Sequence, residues 1–176
     1  MAEEALGGLS PHGDSPQNRS VVILGVGNRL RGDDAIGCVL CDELKGTVPA
    51  WGLSPEPHVI DCGDTPENYV EPVAKLAPCR ILVIDCCDFG AEAGEFRLFS
   101  RPEIEELSYG LLSTHTLPLS LTVELLSVET GAAIELLGIQ PERIEFGEDL
   151  SEPVRRALPA VVEFVRDWAQ AGTVAS

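Results

Sequence analysis

Short apolar runs alternate along the chain with segments in which apolar residues recur at helical spacing. Runs of roughly four to eight apolar residues are typical of strands that are covered on both faces of a sheet, so these runs predict short buried strands. The predicted strands are residues 21–24, 58–61, 80–85, 95–99 and 132–139.

Helical segments fill most of the gaps between these strands. The predicted helices are residues 33–45, a segment that starts at Thr65, residues 118–127 and residues 151–171. Pro66 takes the favoured first position of the second helix and Pro72 ends or kinks it, while Pro159 bends the last one. This order implies right-handed crossovers and therefore an α/β three-layer sandwich, with a mostly parallel, twisted five-stranded sheet and helices on both faces.

Composition indicates one globular domain. The 176 residues, 44% of them hydrophobic, suffice for one sizeable core. We predict a single domain at 21–171, with a flexible, polar and acidic tail at 1–20 and a short tail at 172–176. The first tail lacks the basic and apolar regions of a secretory signal, and no apolar segment approaches the roughly 20 residues that span a bilayer. The sequence therefore favours a cytoplasmic protein without a membrane segment.

The charge of the chain limits its partners. There are 29 acidic and 12 basic residues, and the formal net charge is -17. Such a charge opposes binding to nucleic acid and to anionic membranes, but it is compatible with docking to a basic protein surface. Solubility accounts for most of it.

Six cysteines lie in or beside apolar segments, as buried reduced thiols of a cytosolic protein would. Cys38 and Cys41 form a C-x-x-C pair, but no second pair stands at zinc-site spacing, so core packing is favoured over redox or metal chemistry. Cys62, Cys86 and Cys87 follow strand ends, where functional loops begin. Packing is the first interpretation for these three cysteines too, and a thiolate contribution to metal handling stays open.

A glycine turn joins the first strand to the first helix. The sequence GVGN at 25–28 is followed by GDDAIG at 32–37. A dinucleotide site would need a third glycine where Leu30 stands, and a P-loop would need Gly-Lys-Ser/Thr after the turn. Asp33 and Asp34 would also repel a phosphate at the start of the helix. The turn therefore favours cations, with Asp33 predicted as the helix N-cap and Asp34 as a functional carboxylate.

Acidic residues also follow the other parallel strands, and in such sheets ligands bind where the strands end. Asp85 terminates a very apolar strand, which solvation alone explains poorly, so it is the second functional candidate. Asp61 and Asp64 rank lower, the first as a supporting hydrogen-bond partner and the second as a cap for the helix at Thr65. His115 lies in a polar loop before a helix. A histidine in such a loop, considered without the two acids, is as often an exposed residue as a functional one.

Asp34, Asp85 and His115 together would make a three-ligand metal site with open coordination positions. That composition is typical of a catalytic metal more than of a structural one. It does not select the ion, because carboxylate and imidazole ligands accept zinc, nickel, cobalt or manganese. So small a ligand set implies weak binding unless a partner supplies more ligands.

The chain resembles the hydrogenase maturation endopeptidases, which trim the large subunit of NiFe hydrogenases, from residue 21 to about residue 168. The motifs that carry the resemblance are GVGN at 25–28, GDDAIG at 32–37, IDCGDTPEN at 60–68, ID at 84–85, THTLPL at 114–119 and LGIQP at 137–141. The PEN, THTLPL and GIQP pieces look most like the branch that processes the hydrogenase of formate hydrogenlyase.

The resemblance implies an α/β sandwich that removes a short C-terminal extension from the large-subunit precursor after nickel insertion. It also implies that Asp34, Asp85 and His115 contact this nickel, which belongs to the substrate, and other divalent metals may substitute for it in vitro. The family usually acts as a monomer. A rival interpretation is a nickel-sensing module that binds the precursor without hydrolysis. A nucleotide-binding oxidoreductase is the other rival, and it would need the missing glycine.

Overall fold

The computed structural model describes residues 20–110, 118–147 and 149–173. The strands in this part of the chain are β1 (Ser20–Val26), β2 (His58–Gly63), β3 (Pro78–Cys86), β4 (Phe96–Ser100) and β5 (Ala133–Ile139). They form one sheet in the order β2-β1-β3-β5-β4. All neighbouring strands are parallel except β4 and β5, which are antiparallel. The predicted α/β fold with a mostly parallel five-stranded sheet is confirmed.

The reversed direction of β4 follows from the length of the chain that leads to it. Only residues 87–95 separate β3 from β4. A parallel return needs a crossover of about a dozen residues or more, usually through a helix. The chain instead turns back directly and forms an edge strand, and β5 later enters the gap between β3 and β4.

The α-helices of the described residues surround this sheet. They are α1 (Ile36–Thr47), α2 (Val70–Ala74), α3 (Arg101–Gly110), α4 (Leu119–Thr130) and α5 (Glu152–Thr173), and short 3-10 turns cover Gly32–Ala35, Val48–Trp51 and Pro66–Tyr69. Each predicted helix is present. The one at Thr65 is mostly a 3-10 turn that leads into the short α2, and Pro159 lies within a continuous α5.

The sequence analysis did not predict α3. Its first turn carries the usual signals, with Pro102 and Glu103 directly after Arg101. However, Ile104 is the one buried apolar residue among those of α3 whose side chains are described. In the sequence, Ile104 and Leu107 stand at helical spacing, but four of the ten residues of α3 are charged and the segment is short, so it resembles a polar loop.

Alternating strand residues separate the core into two layers. Ile23 and Ile84 face the layer that contains α1 and α5. Leu24 and Val83 face the layer that contains α2, α3 and α4. Helices therefore cover both faces, and chemistry is confined to the sheet edges. We call the edge where the four parallel strands end the carboxyl edge, and the edge where they begin the amino edge. Among the described residues, no helix combines the length and apolarity needed to cross a membrane.

Candidate active site at the carboxyl edge

The turn after β1 brings the start of the first helix directly onto the sheet. Gly27 has a φ of 148°, and a side chain on it would collide with the carbonyl oxygen of Asp34. A side chain on Gly37 would collide with the backbone of Val26 and of Ile84. The glycines thus allow a close backbone approach, which delivers Asp34 to the ends of β1 and β3.

Asp34 is held within this turn by the backbone. The Asn28 N–H lies 3.2 Å from the Asp34 Oδ2 and 3.1 Å from the Asp34 carbonyl oxygen. The Asp34 N–H in turn donates to the Arg31 carbonyl oxygen at 3.0 Å. Only 2% of Asp34 is exposed. Main-chain hydrogen bonds therefore contribute to fixing its position.

Asp85 lies one residue before the end of β3 and is 4% exposed. Its Oδ1 accepts a hydrogen bond from the Cys86 N–H at 2.8 Å. Burial raises the pKa of the Cys86 thiol, and the negative charges of Asp85, Asp34 and Asp33 raise it further. The two candidate carboxylates from separate elements therefore lie within electrostatic reach of one thiol. His115 lies outside the described residues, so its place in the site stays a prediction.

Asp33 does not cap its own helix, and that prediction was wrong. A 3-10 turn precedes α1, so the Asp33 carbonyl oxygen, not its carboxylate, accepts the Ile36 N–H. The carboxylate is fully buried and points the other way. Its Oδ2 accepts the N–H groups of Glu142 and Arg143 at 2.8 and 3.1 Å, and its Oδ1 accepts the Ser151 N–H at 2.6 Å. Asp33 thereby fastens the loop between β5 and α5 to the glycine turn.

Asp61 supports the turn through Arg29. The Arg29 guanidinium lies 2.6 Å from the Asp61 carboxylate and 2.8 Å from that of Asp42 on α1. Burial acts to raise the pKa of Asp61, but hydrogen bonds from Arg29, from the Gly63 N–H and from Cys38 outweigh it and hold this pKa below its usual value. The structure thus shows Asp61 as a supporting hydrogen-bond partner, which was its predicted role. Arg29 itself was missed, because nothing in the sequence marks a surface arginine as a link between two acids.

Asp64 does not cap the helix at Thr65, contrary to the prediction. The 3-10 turn there has no side-chain cap. The Thr65 N–H donates to the Cys62 carbonyl oxygen at 3.4 Å. The Asp64 carboxylate instead accepts a hydrogen bond from Asn28 Nδ2 at 3.1 Å, which adds another support to the glycine turn.

Gln140 is a second residue that the sequence analysis missed. Its Oε1 accepts the N–H groups of Phe89 and Ala91 at 2.9 and 3.2 Å, and its Nε2 donates to Asp88 at 3.0 Å. These bonds hold the loop that follows Asp85. The available signal was a polar residue at the end of the apolar β5, the same signal that singled out Asp85.

All six cysteines are free, as predicted. Cys38 and Cys41 are completely buried, and their thiols point to the carbonyl oxygens of Gly27 and Ile60 at 3.3 and 3.4 Å. Burial raises the pKa of both thiols to about 12, so they are protonated at neutral pH. Burial likewise raises the pKa of Cys87 to about 12. The packing interpretation of the C-x-x-C pair therefore agrees with its environment.

Within the described residues, no three His, Cys, Asp or Glu side chains form a group that could hold a metal ion. The third predicted ligand, His115, is not among those residues. What the site offers there is a pair of rigidly mounted, buried carboxylates beside two loops. Such a pair can contact a cation or accept a proton from water.

Comparison with known proteins assigns this architecture to one family. A family model described as HycI, hydrogenase maturation protease, matches residues 42–168. The Hydrogenase 3 maturation protease of Escherichia coli K12 is 31% identical over 147 residues, which cover 84% of this chain and 89% of that protein. A putative hydrogenase maturation protease of Methanocaldococcus jannaschii is 35% identical over 131 residues, covering 73% and 76% of the two chains.

Solved structures agree with the sequence relatives. The crystal structure of a NiFe hydrogenase maturation protease HycI from Thermococcus kodakarensis KOD1 superposes with a TM-score of 0.74 at 32% identity, covering 87% of this chain and 93% of that one. The solution structure of the endopeptidase HycI from Escherichia coli gives a TM-score of 0.73 at 31% identity, with coverages of 85% and 90%. Sequence, fold and the predicted motifs thus agree that this chain belongs to the hydrogenase maturation protease family.

Proposed function

We propose that this endopeptidase removes a short C-terminal extension from the large-subunit precursor of a NiFe hydrogenase after nickel has been inserted. The observation that carries the proposal is the convergence of Asp34 and Asp85 on one sheet edge. They come from separate elements and both are nearly completely buried, and the close packing of Gly37 on the backbone of Val26 and Ile84 brings the turn that carries Asp34 to the strand end that carries Asp85. Family membership supplies the reaction class, and the carboxylate pair supplies groups suited to it.

In this proposal the nickel arrives with the substrate. Asp34 and Asp85, together with His115, contact the ion while it stays bound to the precursor. Two carboxylates and one imidazole hold a free divalent ion only weakly, so a precursor that supplies further ligands is favoured over the ion alone. In this proposal other divalent metals substitute for nickel in vitro, because carboxylate and imidazole ligands do not select one ion.

The same carboxylates can serve the hydrolysis. A carboxylate that faces the scissile peptide accepts a proton from water, the water oxygen adds to the carbonyl carbon, and the proton passes to the departing amine. The substrate's nickel either polarises the carbonyl or helps to ionise the water. We thus propose an aspartic-type mechanism that depends on the substrate's metal, in which the backbone-held positions of Asp34 and Asp85 keep the reacting groups aligned.

The decisive experiment compares nickel-loaded and nickel-free large-subunit precursors from the same organism. Each is incubated with the wild-type chain, with Asp34→Asn, with Asp85→Asn and with Asp167→Asn, and the mass of the large subunit is measured. Asp167 is a matched control, because it is an exposed aspartate on α5 that pairs with the neighbouring Arg166.

We expect a C-terminal peptide to be lost only from the nickel-loaded precursor, and only with the wild type and Asp167→Asn. Equal cleavage of the nickel-free precursor would contradict the nickel requirement. Binding without any change of mass would instead support the nickel-sensing alternative, which family membership does not favour. We further propose that the enzyme acts as a monomer in the cytoplasm, a compartment that suits its six free thiols.

A further inference from the structure

Two large apolar side chains stand exposed on neighbouring loops at the carboxyl edge. Leu30 is 59% exposed in the turn after β1, and Phe146 is 75% exposed in the loop between β5 and α5. The two loops are joined there, because the Gly147 N–H donates to the Leu30 carbonyl oxygen at 2.7 Å. We call these two side chains the Leu30–Phe146 patch. Exposed apolar residues are common, but these two lie on joined loops next to the candidate site, where a bound polypeptide could cover both.

The backbone beneath the patch is fixed. Besides the three N–H groups bound by the Asp33 carboxylate, the Asp33 N–H donates to the Arg143 carbonyl oxygen at 2.9 Å. Arg31 Nε also reaches the Ile144 carbonyl oxygen at 3.4 Å. Loops held in this way lose little conformational freedom when a partner binds, and this is the usual advantage of a preorganised docking surface.

The patch shares its turn with the candidate active site. Leu30 lies between Asn28, whose N–H contacts Asp34, and Arg31, whose carbonyl oxygen accepts the Asp34 N–H. A polypeptide that covers Leu30 therefore rests on the same turn that positions Asp34. Val128, another exposed apolar residue, lies instead in the last turns of α4, which leads to the start of β5 at the amino edge.

Charge indicates the chemistry of the occupant. The loop from residue 141 to residue 151 contains four carboxylates and one arginine in its sequence, and the whole chain carries a net charge of -17. Leu30 stands between two arginines, but Arg29 is paired with Asp42 and Asp61, so Arg31 offsets only part of this negative charge. Glu142, Glu145 and Asp149 are exposed on this loop. A partner that places an apolar side chain on the patch is therefore favoured if lysine or arginine flanks that side chain.

We propose that the Leu30–Phe146 patch is the docking surface for the hydrogenase large-subunit precursor, and that it takes an apolar side chain of that polypeptide with a basic neighbour. This rests on the proposed function for the identity of the substrate. The patch contributes to holding the precursor and not to the chemical step, so it acts on KM more than on kcat.

The test uses the full-length chain and the nickel-loaded precursor from the same organism. Leu30→Ser, Phe146→Ser and the double variant are compared with Val128→Ser, a control that removes an apolar side chain exposed to the same 75% as Phe146. KM and kcat are obtained from the rate of peptide release, Kd from titration of the precursor, and the oligomeric state of the free variants from sedimentation. The wild type is also assayed between about 50 and 500 mM salt, a range in which exposed charges become screened.

We expect the double variant to raise KM and Kd about tenfold, which is the size of effect that one buried anchor residue produces. Its kcat should stay within about twofold of the wild type, Val128→Ser should change neither constant, and salt should raise the wild-type KM. An unchanged KM in the double variant, or an equal rise in Val128→Ser, would overturn the docking proposal. So would a change in self-association with no change in precursor binding, because the occupant would then be a second copy of the chain.

The two proposals fail in different ways. If the wild type cuts the precursor and the double variant does so with the same KM, the docking surface is wrong and the proposed function stands. If the wild type binds the precursor through the patch but never cuts it, docking stands and the proposed hydrolysis is wrong. A wild type that neither binds nor cuts the precursor contradicts both proposals.

Discussion

At each edge of the sheet, one buried or half-buried carboxylate links separate segments of the chain through hydrogen bonds. The two carboxylates differ in the kind of donor that they bind. At the carboxyl edge, Asp33 is fully buried and is bound by backbone N–H groups. At the amino edge, Glu135 on β5 is half-buried and is bound by side chains. Its Oε2 lies 2.9 Å from Arg80 Nη2 and 2.8 Å from Trp168 Nε1, and the Arg80 guanidinium stacks 4.0 Å from the Trp168 ring centroid.

This difference indicates that Asp33 positions loops, whereas Glu135 only links elements of the fold. Backbone donors cannot move without moving the loop that carries them, so Asp33 defines the path of two loops next to the candidate active site. Side-chain donors can rotate and partly exchange their bonds for water, so Glu135 links β3, β5 and α5 without fixing a loop. We therefore expect changes at the carboxyl edge to affect activity, and changes at the amino edge to affect stability alone.

The largest effect on activity is expected for Asp34→Asn. The substitution keeps the size of the side chain but removes the charge and the proton acceptor. We expect peptide release from the nickel-loaded precursor to fall about 10²- to 10⁴-fold, while the melting temperature changes little. Mass spectrometry of the precursor and thermal unfolding measure the two effects. Activity within about tenfold of the wild type would remove Asp34 from the chemistry.

Asp33→Asn tests whether the carboxyl edge is organised by backbone contacts. An amide has one acceptor oxygen, so at least one of the N–H groups of Glu142, Arg143 and Ser151 loses its partner inside the protein. Leaving buried donors unpaired costs about 1–3 kcal/mol for each group, and we expect a loss of this order in the free energy of unfolding. Denaturant titration measures it.

Activity is expected to fall with stability in Asp33→Asn, by about tenfold, because a shift of the turn near Asp34 misplaces the reacting groups. The assay is done well below the melting temperature of the variant, so that unfolding does not mimic the effect. A stable and fully active variant would show that the hydrogen bonds of the Asp33 carboxylate are dispensable. The contrast between the two edges would then fail.

Glu135→Gln is the matched change at the amino edge. The glutamine can still accept the Trp168 N–H, but its ion pair with Arg80 is lost. Ion pairs of this partly exposed kind contribute about 1 kcal/mol or less, so a small decrease in the free energy of unfolding is expected, with kcat and KM unchanged. A tenfold loss of activity in this variant would mean that the amino edge also positions the site.

Sequence patterning predicted the sheet well, because its central strands are buried on both faces. The runs at β1 and β3 are almost entirely apolar, and their positions agree with the structure to within a few residues. A mostly parallel sheet was predicted correctly, but which strand runs antiparallel follows only from a count of the residues that connect β3 to β4. The helix α3 was missed because it is short and four of its ten residues are charged.

At the site, the sequence identified carboxylates but not what they contact. Asp34 and Asp85 were proposed as site residues because acids next to apolar strands are unusual, and the structure shows both of them nearly buried. The partners of Asp33 lie more than one hundred residues away along the chain, at Glu142, Arg143 and Ser151. A capping rule that considers only neighbouring residues therefore assigned Asp33 to its own helix. Contacts of such sequence separation are a property of the fold and cannot be read from local pattern.

Asp61 tests whether its location at the sheet edge or its kind of partner decides what a substitution does. It lies at the carboxyl edge, as Asp33 does, but it is held by a side chain, that of Arg29. If location decides, Asp61→Asn lowers activity as Asp33→Asn does. If the partner decides, as we expect, activity is retained and the free energy of unfolding falls by about 1 kcal/mol or less at pH 7. The pKa of Asp61 is lowered by folding, so its contribution is complete above the ordinary carboxyl pKa and is lost as the pH falls from there through the lower pKa of the folded state. The stabilities of wild type and variant should therefore differ at pH 7 and begin to converge only as the pH falls below about 4. A difference that persists at low pH would mean that Asp61 acts through packing or neutral hydrogen bonds, and that its ion pair with Arg29 contributes nothing.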